Sequence, residues 1–147
     1  MTLISEVMTR DVRSLRPSDT VVDAARTMDE LNVGVVPVCD DTSRLVGMVT
    51  DRDIVVRAVS RGAEGLNLVL SDIMSTNVRS ASEEDVVDEV LTRMAEAQVR
   101  RMPVVDGEDR LVGIVSIGDV AAKSPDDELD VATSLGDISS PAEPDRT

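Results

Sequence analysis

The sequence predicts an α/β protein built from two copies of one motif. The phrase LVGMVTDRDI at residues 45–54 returns as LVGIVSIGDV at residues 111–120. Short apolar runs typical of strands alternate with segments of helical period in both halves. The halves align without a gap at an offset of 66 residues, the distance from residue 45 to residue 111. An ungapped match of this extent indicates duplication.

Each copy predicts the element order β-α-β-β-α. A strand-like stretch surrounds VRS at residues 12–14 and again at residues 78–80. A helix follows, for which Ser18 or Asp19 in the first copy and Ser82 in the second are candidate caps. Apolar residues recur along both helices at a period near 3.6, so we expect them in the core. They are Val21, Ala25 and Met28 in the first helix, and Val87, Val90, Leu91 and Met94 in the second.

The second half of each copy predicts a strand hairpin and a closing helix. VVPVCD and RMPVVD each begin near a proline, pass through a polar turn and lead into LVGMV or LVGIV. The first closing helix is predicted to end at Gly62. The sequence thus predicts motif 1 at 1–62, a connector at 63–69, motif 2 at 70–124 and a tail at 125–147. The tail has seven acidic residues and one basic residue, which favours a flexible acidic segment.

Composition excludes several classes of function. The chain has 15 basic and 29 acidic residues and a formal charge of −14, which disfavours nucleic acid as a partner. No run of about 18 apolar residues occurs, so we expect no membrane partner and a soluble cytoplasmic protein. Histidine is absent, which removes the commonest general base and metal ligand, and we expect no metal site. Phe, Tyr and Trp are also absent, so no aromatic ring can stack on a ligand.

Cys39 is the single cysteine, and two interpretations of it stay open. It lies at the end of a predicted strand beside Asp40 and Asp41, where it could serve as a redox contact between subunits. The stronger interpretation is a small core or edge residue, because neighbouring carboxylates raise the pKa of a thiol. The sequence contains no nucleophile and base pair, metal cluster or phosphate loop with a lysine, so we expect no enzyme activity.

The closing phrase of each copy resembles the cystathionine beta-synthase (CBS) domain. Its pattern is Gly, two apolar residues, Thr or Ser, two residues and Asp, at Gly47, Thr50 and Asp53, and again at Gly113, Ser116 and Asp119. The resemblance covers residues 3–124, and two such motifs in tandem resemble a Bateman module. The chain is similar to small stand-alone bacterial two-CBS proteins, including hypoxic-response types.

This resemblance implies two motifs packed about a pseudo-twofold axis, with two clefts between them. It further implies a homodimer and a regulatory ligand of the adenine nucleotide class, AMP, ADP or ATP, rather than a cofactor. S-adenosylmethionine and dinucleotides are also ligands in the family. A stand-alone module needs an output, so a client protein is a further expected partner.

The residues support a nucleotide site independently. Thr50 lies where a strand gives way to a helix, so we expect its hydroxyl and the free N–H groups of the first helical turn to face an anion. Asp53, one turn along, can accept hydrogen bonds from two vicinal ribose hydroxyls. The alternative is a helix capping box, which would satisfy the same groups without a ligand.

The family resemblance combines the Thr/Ser and Asp pair of one motif with the first-strand segment and pre-proline residues of the other. The expected main cleft is lined by Met48, Thr50, Asp53, Val78, Arg79, Val99, Arg100 and Arg101. The expected second cleft, with weaker anion affinity, is lined by Val12, Arg13, Val33, Gly34, Arg52, Ile114, Ser116 and Asp119. Arg100 and Arg101 are expected to hold phosphate, and the alternative for them is a solvated pair near acidic neighbours.

Two functions follow as hypotheses. The first is a sensor that binds an adenosine-containing ligand between its two motifs and performs no catalysis. The second is a ligand-free dimeric interaction scaffold, in which exposed helices pair two modules and the acidic tail engages a client.

Overall fold

Each repeat forms its own α/β unit, and each unit takes its first short segment from the other repeat. The computed structural model describes residues 1–123, so the acidic segment 125–147 lies outside the described residues. The first-repeat unit consists of Arg13–Val78 with Glu108–Leu111. Among the described residues, the second-repeat unit consists of Met1–Val12, Arg79–Gly107 and residues 112–123.

The helices and strands follow the predicted α/β order. The helices are α1 (Ile4–Val7), α2 (Val21–Leu31), α3 (Asp51–Arg57), α4 (Val87–Ala97) and α5 (Ile117–Lys123). The strands are β1 (Val35–Cys39), β2 (Leu45–Thr50), β3 (Ala81–Ser82), β4 (Arg101–Val105) and β5 (Leu111–Ser116). Two 3₁₀ segments, Val59–Asn67 and Leu70–Asp72, connect the repeats. The fold class expected from the sequence is confirmed.

The first-repeat unit is an antiparallel hairpin covered by helices. Strand β1 pairs with β2 so that Val35 lies opposite Thr50 and Val36 opposite Val49. Alternate residues of β2 are buried, as expected for a strand with one face on the core. The buried apolar core is formed by Val21, Ala24, Met28, Val36, Val38, Val49, Ile54, Ala58, Leu70 and Ile73.

The second-repeat unit is a three-stranded sheet in the order β3-β4-β5. Strand β3 runs parallel to β4, with Ala81 opposite Val104. The buried apolar core is formed by Ile4, Val7, Met8, Ala81, Val87, Val90, Leu91, Met94, Met102, Val104, Val115, Ile117 and Val120. The first three of these residues come from the first repeat, just as Leu70 and Ile73 of the second repeat lie in the other core.

We call residues 1–12 of the first repeat and 70–78 of the second the exchanged segments, because each belongs to the unit of the other repeat. Backbone hydrogen bonds hold them in the same way in both units. Met48 and Ser75 exchange two N–H to O bonds of 3.0 and 2.9 Å, and Ile114 and Thr9 exchange two of 2.9 and 2.8 Å. A glycine stands next to each of these pairs. A Cβ on Gly113 would lie 2.7 Å from the Thr9 carbonyl oxygen, closer than real Cβ contacts. The repeated glycine is therefore required by the close approach of the exchanged segment.

A basic side chain adds a further hydrogen bond to each exchanged segment. The Arg57 guanidinium donates to the Ile73 carbonyl oxygen at 3.0 Å. The Lys123 ammonium donates to the Val7 carbonyl oxygen at 3.3 Å. Arg57 and Lys123 are equivalent positions of the two repeats, as are Ile73 and Val7. Both repeats have therefore kept this hydrogen bond as well as the fold.

The predicted helix caps were wrong. Helix α2 has Thr20 as its N-cap, whose hydroxyl accepts from the Asp23 N–H at 3.1 Å. Asp19 lies in the preceding turn, where its carboxylate accepts from the Arg16 N–H. Helix α4 has Val86 at its N-cap. Ser82 lies in the preceding turn, where its N–H donates to the Asp85 carboxylate, as the Arg16 N–H donates to Asp19 in the first repeat. The candidate polar residues close the turns before the helices rather than the helices themselves.

Three further details differ from the sequence expectation. The buried stripe of α2 runs through Ala24, whereas Ala25 is exposed. The first strand of the first repeat is reduced to one bridge, between Leu15 and Val38, a little beyond the predicted VRS stretch. Helix α3 ends at Arg57, and Gly62 instead supplies a positive φ of 71° inside the following 3₁₀ segment.

Replacing Gly113 with Ala is expected to lower the free energy of unfolding by about 1–3 kcal/mol, because the added methyl overpacks against the Thr9 backbone. Urea unfolding followed by far-ultraviolet circular dichroism measures this, since the chain has no Trp or Tyr for fluorescence. Gly107→Ala is the matched control, because a Cβ there meets nothing within 4 Å. Equal stability of the two variants would contradict the close approach.

Candidate functional site

The Thr50 and Asp53 pair forms a complete capping box at the start of α3. The Thr50 hydroxyl accepts from the Asp53 N–H at 3.0 Å, and Asp53 Oδ2 accepts from the Thr50 N–H at 2.9 Å. Both bonds are partly buried. The capping alternative raised by the sequence is therefore realised, and it fixes the position of the carboxylate where β2 becomes α3.

Ser116 and Asp119 repeat this arrangement at the start of α5. The Ser116 hydroxyl accepts from the Asp119 N–H at 3.0 Å, and Asp119 Oδ2 accepts from the Ser116 N–H at 3.1 Å. The Thr9 hydroxyl of the exchanged segment also donates to Asp119 Oδ2, at 3.3 Å. The carboxylate in this unit thus contacts the segment contributed by the other repeat.

Each capping box lies beside the pre-proline residues of its own repeat. The Asp51 N–H donates to the Gly34 carbonyl oxygen at 2.9 Å, and the Ile117 N–H donates to the Arg100 carbonyl oxygen at 3.1 Å. The reason is the hairpin, whose antiparallel register brings the start of the first strand next to the end of the second. We call these groups the first junction (Gly34, Thr50, Asp51, Asp53) and the second junction (Arg100, Ser116, Ile117, Asp119).

Four further predicted site residues are divided evenly between the two units. Met48 pairs with Ser75, three residues before Val78, within the first-repeat unit. Ile114 pairs with Thr9, three residues before Val12, within the second-repeat unit. Met48, Ile114, Val78 and Val12 are all half-buried. Met48 and Val78 therefore belong to one unit, and Ile114 and Val12 to the other.

The remaining predicted residues are distributed between the units. Val33 lies next to Gly34 and is half-buried, whereas Val99 next to Arg100 is 36% exposed. Arg52, Arg79 and Arg101 are exposed. Arg13 is also exposed and donates to Glu30 at 2.6 Å.

The expected main cleft draws on both units. Met48, Thr50, Asp53 and Val78 belong to the first-repeat unit, and Arg79 and residues 99–101 belong to the second. The expected second cleft is divided likewise, with Arg13, Val33, Gly34 and Arg52 in the first-repeat unit and its other four members in the second. These two groupings of residues stay predictions.

The expectation of free N–H groups in the first turn of α3 was wrong. The Asp51 N–H is bonded to the Gly34 carbonyl oxygen, and the Arg52 N–H donates to Asp51 Oδ1 at 2.8 Å. The Asp53 N–H donates to the Thr50 hydroxyl. All three groups are satisfied within the chain, so none is left to bind an anion.

Asp51 is the residue that the sequence analysis missed. A Cβ on Gly34 would lie 3.1 Å from Asp51 Oδ2, so this carboxylate covers the glycine. The signal was present in the repeat, where Asp51 aligns with buried Ile117. The two junctions thus differ in charge as well as in shape.

Cys39 is the last residue of β1 and is buried. Only 4% of the residue is exposed. Burial raises the pKa of the Cys39 thiol; a hydrogen bond with Ser14 opposes this, and the negative charge of Asp40 adds to it. The interpretation as a packed residue is favoured over that of a reactive thiol.

Residues 1–123 contain neither a metal-binding cluster nor a membrane-spanning helix. Within that range, no three or more His, Cys, Asp or Glu side chains are grouped so that they could hold a metal ion. None of the helices in the described part of the chain is both long and apolar enough to cross a membrane.

The chain belongs to the CBS domain family, because residues 4–60 and 70–126 each match the CBS domain. The CBS domain-containing protein YhcV of Bacillus subtilis is 38% identical over 128 residues, which cover 87% of this chain and 89% of YhcV. Hypoxic response protein 1 of Mycobacterium tuberculosis is 35% identical over 126 residues, which cover 86% of this chain and 87% of that protein. The resemblance stated from the sequence is confirmed.

Solved structures of CBS pairs match the fold closely. Hypoxic Response Protein I, crystallised with two coordinated zinc ions, gives a TM-score of 0.75 at 35% identity and covers 82% of this chain and 98% of its own. CBSX2 in complex with AMP gives 0.75 at 25% identity, with coverage of 87% and 99%. The CBS pair of MJ0100, in complex with 5′-methylthioadenosine and S-adenosyl-L-methionine, gives 0.72 at 27% identity, with coverage of 83% and 94%.

Cys39 is expected to react with a disulfide reagent much more slowly in the native chain than in the urea-unfolded chain, because it is buried and its thiol pKa is raised. With rising pH the native rate should continue to increase after the unfolded rate has levelled off, since the thiolate forms later in the folded chain. Stopped-flow absorbance of the released thiolate measures both rates. Equal native and unfolded rates would favour the redox interpretation.

Proposed function

We propose that this chain is a regulatory module that binds an adenosine-containing ligand of the AMP, ADP and ATP class and performs no catalysis. Both junctions hold a hydroxyl and carboxylate pair at a strand end, and this repeated pair carries the proposal. Solved CBS pairs with AMP, and with 5′-methylthioadenosine and S-adenosylmethionine, support the ligand class.

The capping bonds are compatible with ribose recognition. An ionised carboxylate has two oxygens and about four acceptor positions. Asp53 uses Oδ2 for the Thr50 N–H, and Arg57 Nε lies 3.9 Å from Oδ1. Two vicinal hydroxyls can therefore donate to the acceptor positions that the cap leaves. The cap prevents rotation of the carboxylate, which reduces the entropy lost when a ligand binds.

We expect the adenine ring to bind between aliphatic side chains. The chain contains no aromatic residue, so the base must pack against side chains such as Met48 and Val78 in one unit or Ile114 and Val12 in the other. All four are half-buried and so present some apolar surface. The arginines at positions 79, 100 and 101 remain the proposed phosphate contacts.

The absence of catalysis in this proposal is supported by the roles of the polar groups. Thr50 and Ser116 accept backbone N–H bonds in capping boxes rather than pairing with a general base. Histidine is missing from the whole chain. An output through a client protein is therefore the natural consequence of ligand binding.

AMP is expected to stabilise the purified chain by about 2.7 kcal/mol at a concentration of about 100 Kd. The double variant Asp53→Asn, Asp119→Asn should bind AMP at least about tenfold more weakly, because an amide accepts hydrogen bonds from ribose less strongly than a carboxylate. Thermal melts by circular dichroism measure the first effect and calorimetric titration the second.

Asp29→Asn, at an exposed position of α2, is the control and should bind as the native chain does. A co-purified nucleotide would be visible near 260 nm, since the protein lacks Trp and Tyr. If AMP, ADP, ATP, 5′-methylthioadenosine and S-adenosylmethionine all leave the melting temperature unchanged, the proposed function is wrong.

An exposed apolar surface favours the scaffold as a second candidate function. Val55, Val56, Val59 and Leu66 lie on α3 and the following 3₁₀ segment and are 50–58% exposed. We call them the valine patch. The equivalents of Val55 and Val56 in the second repeat are Ala121 and Ala122, so this surface is specific to one unit. We propose that a second copy of the chain covers the patch in a homodimer.

Val56→Asp is expected to shift the chain from dimer to monomer, because a carboxylate placed in the apolar contact would be desolvated without a partner. Light scattering coupled to size exclusion measures the mass. Ala122→Asp is the matched control at the equivalent exposed position of α5, and it should leave the mass unchanged. A native chain that is monomeric at high concentration would contradict the homodimer.

A further inference from the structure

We infer that Met74 is a site of reversible oxidation by hydrogen peroxide, and that its sulfoxide loosens the exchanged segment 70–78 from the first-repeat unit. Oxidation thereby acts on one unit and leaves the other unchanged. Neither step requires the proposed nucleotide ligand.

A methionine sulfur packs on the glycine beside the exchanged segment in both units. A Cβ on Gly47 would lie 2.6 Å from Met74 Sδ, and a Cβ on Gly113 would lie 3.0 Å from Met8 Sδ. Met74 and Met8 are equivalent positions of the two repeats, as are the two glycines. Each thioether therefore occupies the space that a larger residue would fill, and it helps to hold the exchanged segment against the strand.

The two sulfur contacts differ in their access to solvent. Met8 is 5% exposed and belongs to the buried core of the second-repeat unit. Met74 is only half-buried where it packs against the core of the first-repeat unit. Oxidation of a thioether follows its exposure, so a peroxide reaches Met74 more readily than Met8.

Most of the other sulfur atoms are shielded from an oxidant. The chain has seven methionines and one cysteine, all of them within the described residues. Met1 is fully exposed, and Met48 is half-buried like Met74. The remaining four are at most 7% exposed, namely Met28, Cys39, Met94 and Met102. Of the sulfur atoms that solvent reaches, Met74 is the one that takes part in the contact shared by the two repeats.

The modification is a transfer of one oxygen atom. A lone pair of the Met74 sulfur attacks one oxygen of hydrogen peroxide, and the O–O bond breaks as the S–O bond forms. The other oxygen leaves as hydroxide, which takes up the remaining proton and becomes water. The sulfur loses two electrons and the peroxide gains them, which gives methionine sulfoxide.

The backbone N–H groups around Met74 are already hydrogen-bonded. Those of Met48 and Ser75 donate to each other's carbonyl oxygens at 3.0 and 2.9 Å, and that of Met74 donates to the Leu70 carbonyl oxygen at 2.8 Å. A polar S–O group kept in the apolar contact would lose its hydrogen bonds with water. The sulfoxide therefore turns to solvent, and the side chain leaves Gly47.

Loss of this contact weakens the docking of the whole segment. Leu70 and Ile73 of the same segment are buried in the core of the first-repeat unit. The Arg57 guanidinium bonds to the Ile73 carbonyl oxygen, directly before Met74 in the chain. The sulfoxide thus disturbs the point at which core packing, backbone pairing and a basic side chain hold the segment together.

Treatment of the full chain with hydrogen peroxide, followed by peptide mass spectrometry, gives an oxidation rate for each methionine. We expect Met74 to be oxidised at least about tenfold faster than Met8, because Met8 reacts only when its unit opens. Fully exposed Met1 is the reference for an unprotected thioether. Equal rates for Met74 and Met8 would overturn the inference.

Hydrogen–deuterium exchange measures the consequence of the modification. In the oxidised chain the amides of residues 70–78 and of β2 should exchange at least about tenfold faster, because the exchanged segment opens more often. The amides of residues 1–12 and of β5 should keep their native rates, since Met8 stays reduced. Methionine sulfoxide reductase should restore the native pattern, and a pattern that it leaves unchanged would contradict reversibility.

Met74→Leu is the test variant, because leucine is apolar, has a similar volume and lacks the sulfur. Its exchange pattern should not respond to peroxide, and the pattern before treatment shows whether the fold is kept. Met48→Ile is the matched control, since isoleucine stands at the equivalent position of the second repeat. This control should respond to peroxide as the native chain does.

Three results would overturn the inference. They are an oxidised native chain with unchanged exchange, a Met74→Leu chain that still loses protection with peroxide, and a response that Met48→Ile abolishes. None of these measurements uses a ligand, so the proposed function is tested separately.

Discussion

The fold depends on the backbone pairing between each sheet and the exchanged segment of the other repeat. Thr9 with Ile114 and Ser75 with Met48 form reciprocal hydrogen bonds, all of 3.0 Å or less. Gly113 and Gly47 make the close approach possible. Lys123 and Arg57 donate hydrogen bonds to backbone carbonyl oxygens of the same segments. A repeat cut at residue 62 would lack Leu70 and Ile73, which are buried in its core. The pair is therefore the unit of folding.

The same arrangement explains how a helix cap and the proposed ribose contact can be the same side chain. The Thr or Ser and Asp pair caps a short helix directly after a strand, and this holds the carboxylate where the strand ends. One oxygen satisfies the backbone, while the acceptor capacity that remains suits hydroxyl donors. A structural role and a ligand role need not compete for these residues, because the first one fixes the geometry that the second requires.

Divergence between the repeats is concentrated at a few positions on an otherwise conserved frame. Asp51 against Ile117 and Gly34 against Arg100 change the charge of the junctions. Val56 against Ala122 changes the apolar surface of the closing helix. Both copies keep the capping box, the glycine beside the exchanged segment and the hydrogen bond from a basic side chain to that segment. Such a pattern is typical of a duplicated fold whose two halves have acquired different surfaces.

The sequence alone determined the duplication, the α/β class, the family resemblance and the positions of both Thr/Ser and Asp pairs. These are local patterns, and their side chains carry the information. It did not locate the N-caps of α2 and α4, because Asp19 and Ser82 had nearby turns as alternative partners.

Only the tertiary structure decided which segment completes which unit and that Asp51 covers Gly34. Backbone pairing between Thr9 and Ile114 joins N–H and C=O groups that every non-proline residue carries. The sequence therefore contains no pattern that predicts this pairing. The first-turn N–H groups of α3 could likewise be assigned only once the hairpin register brought the Gly34 carbonyl oxygen to Asp51.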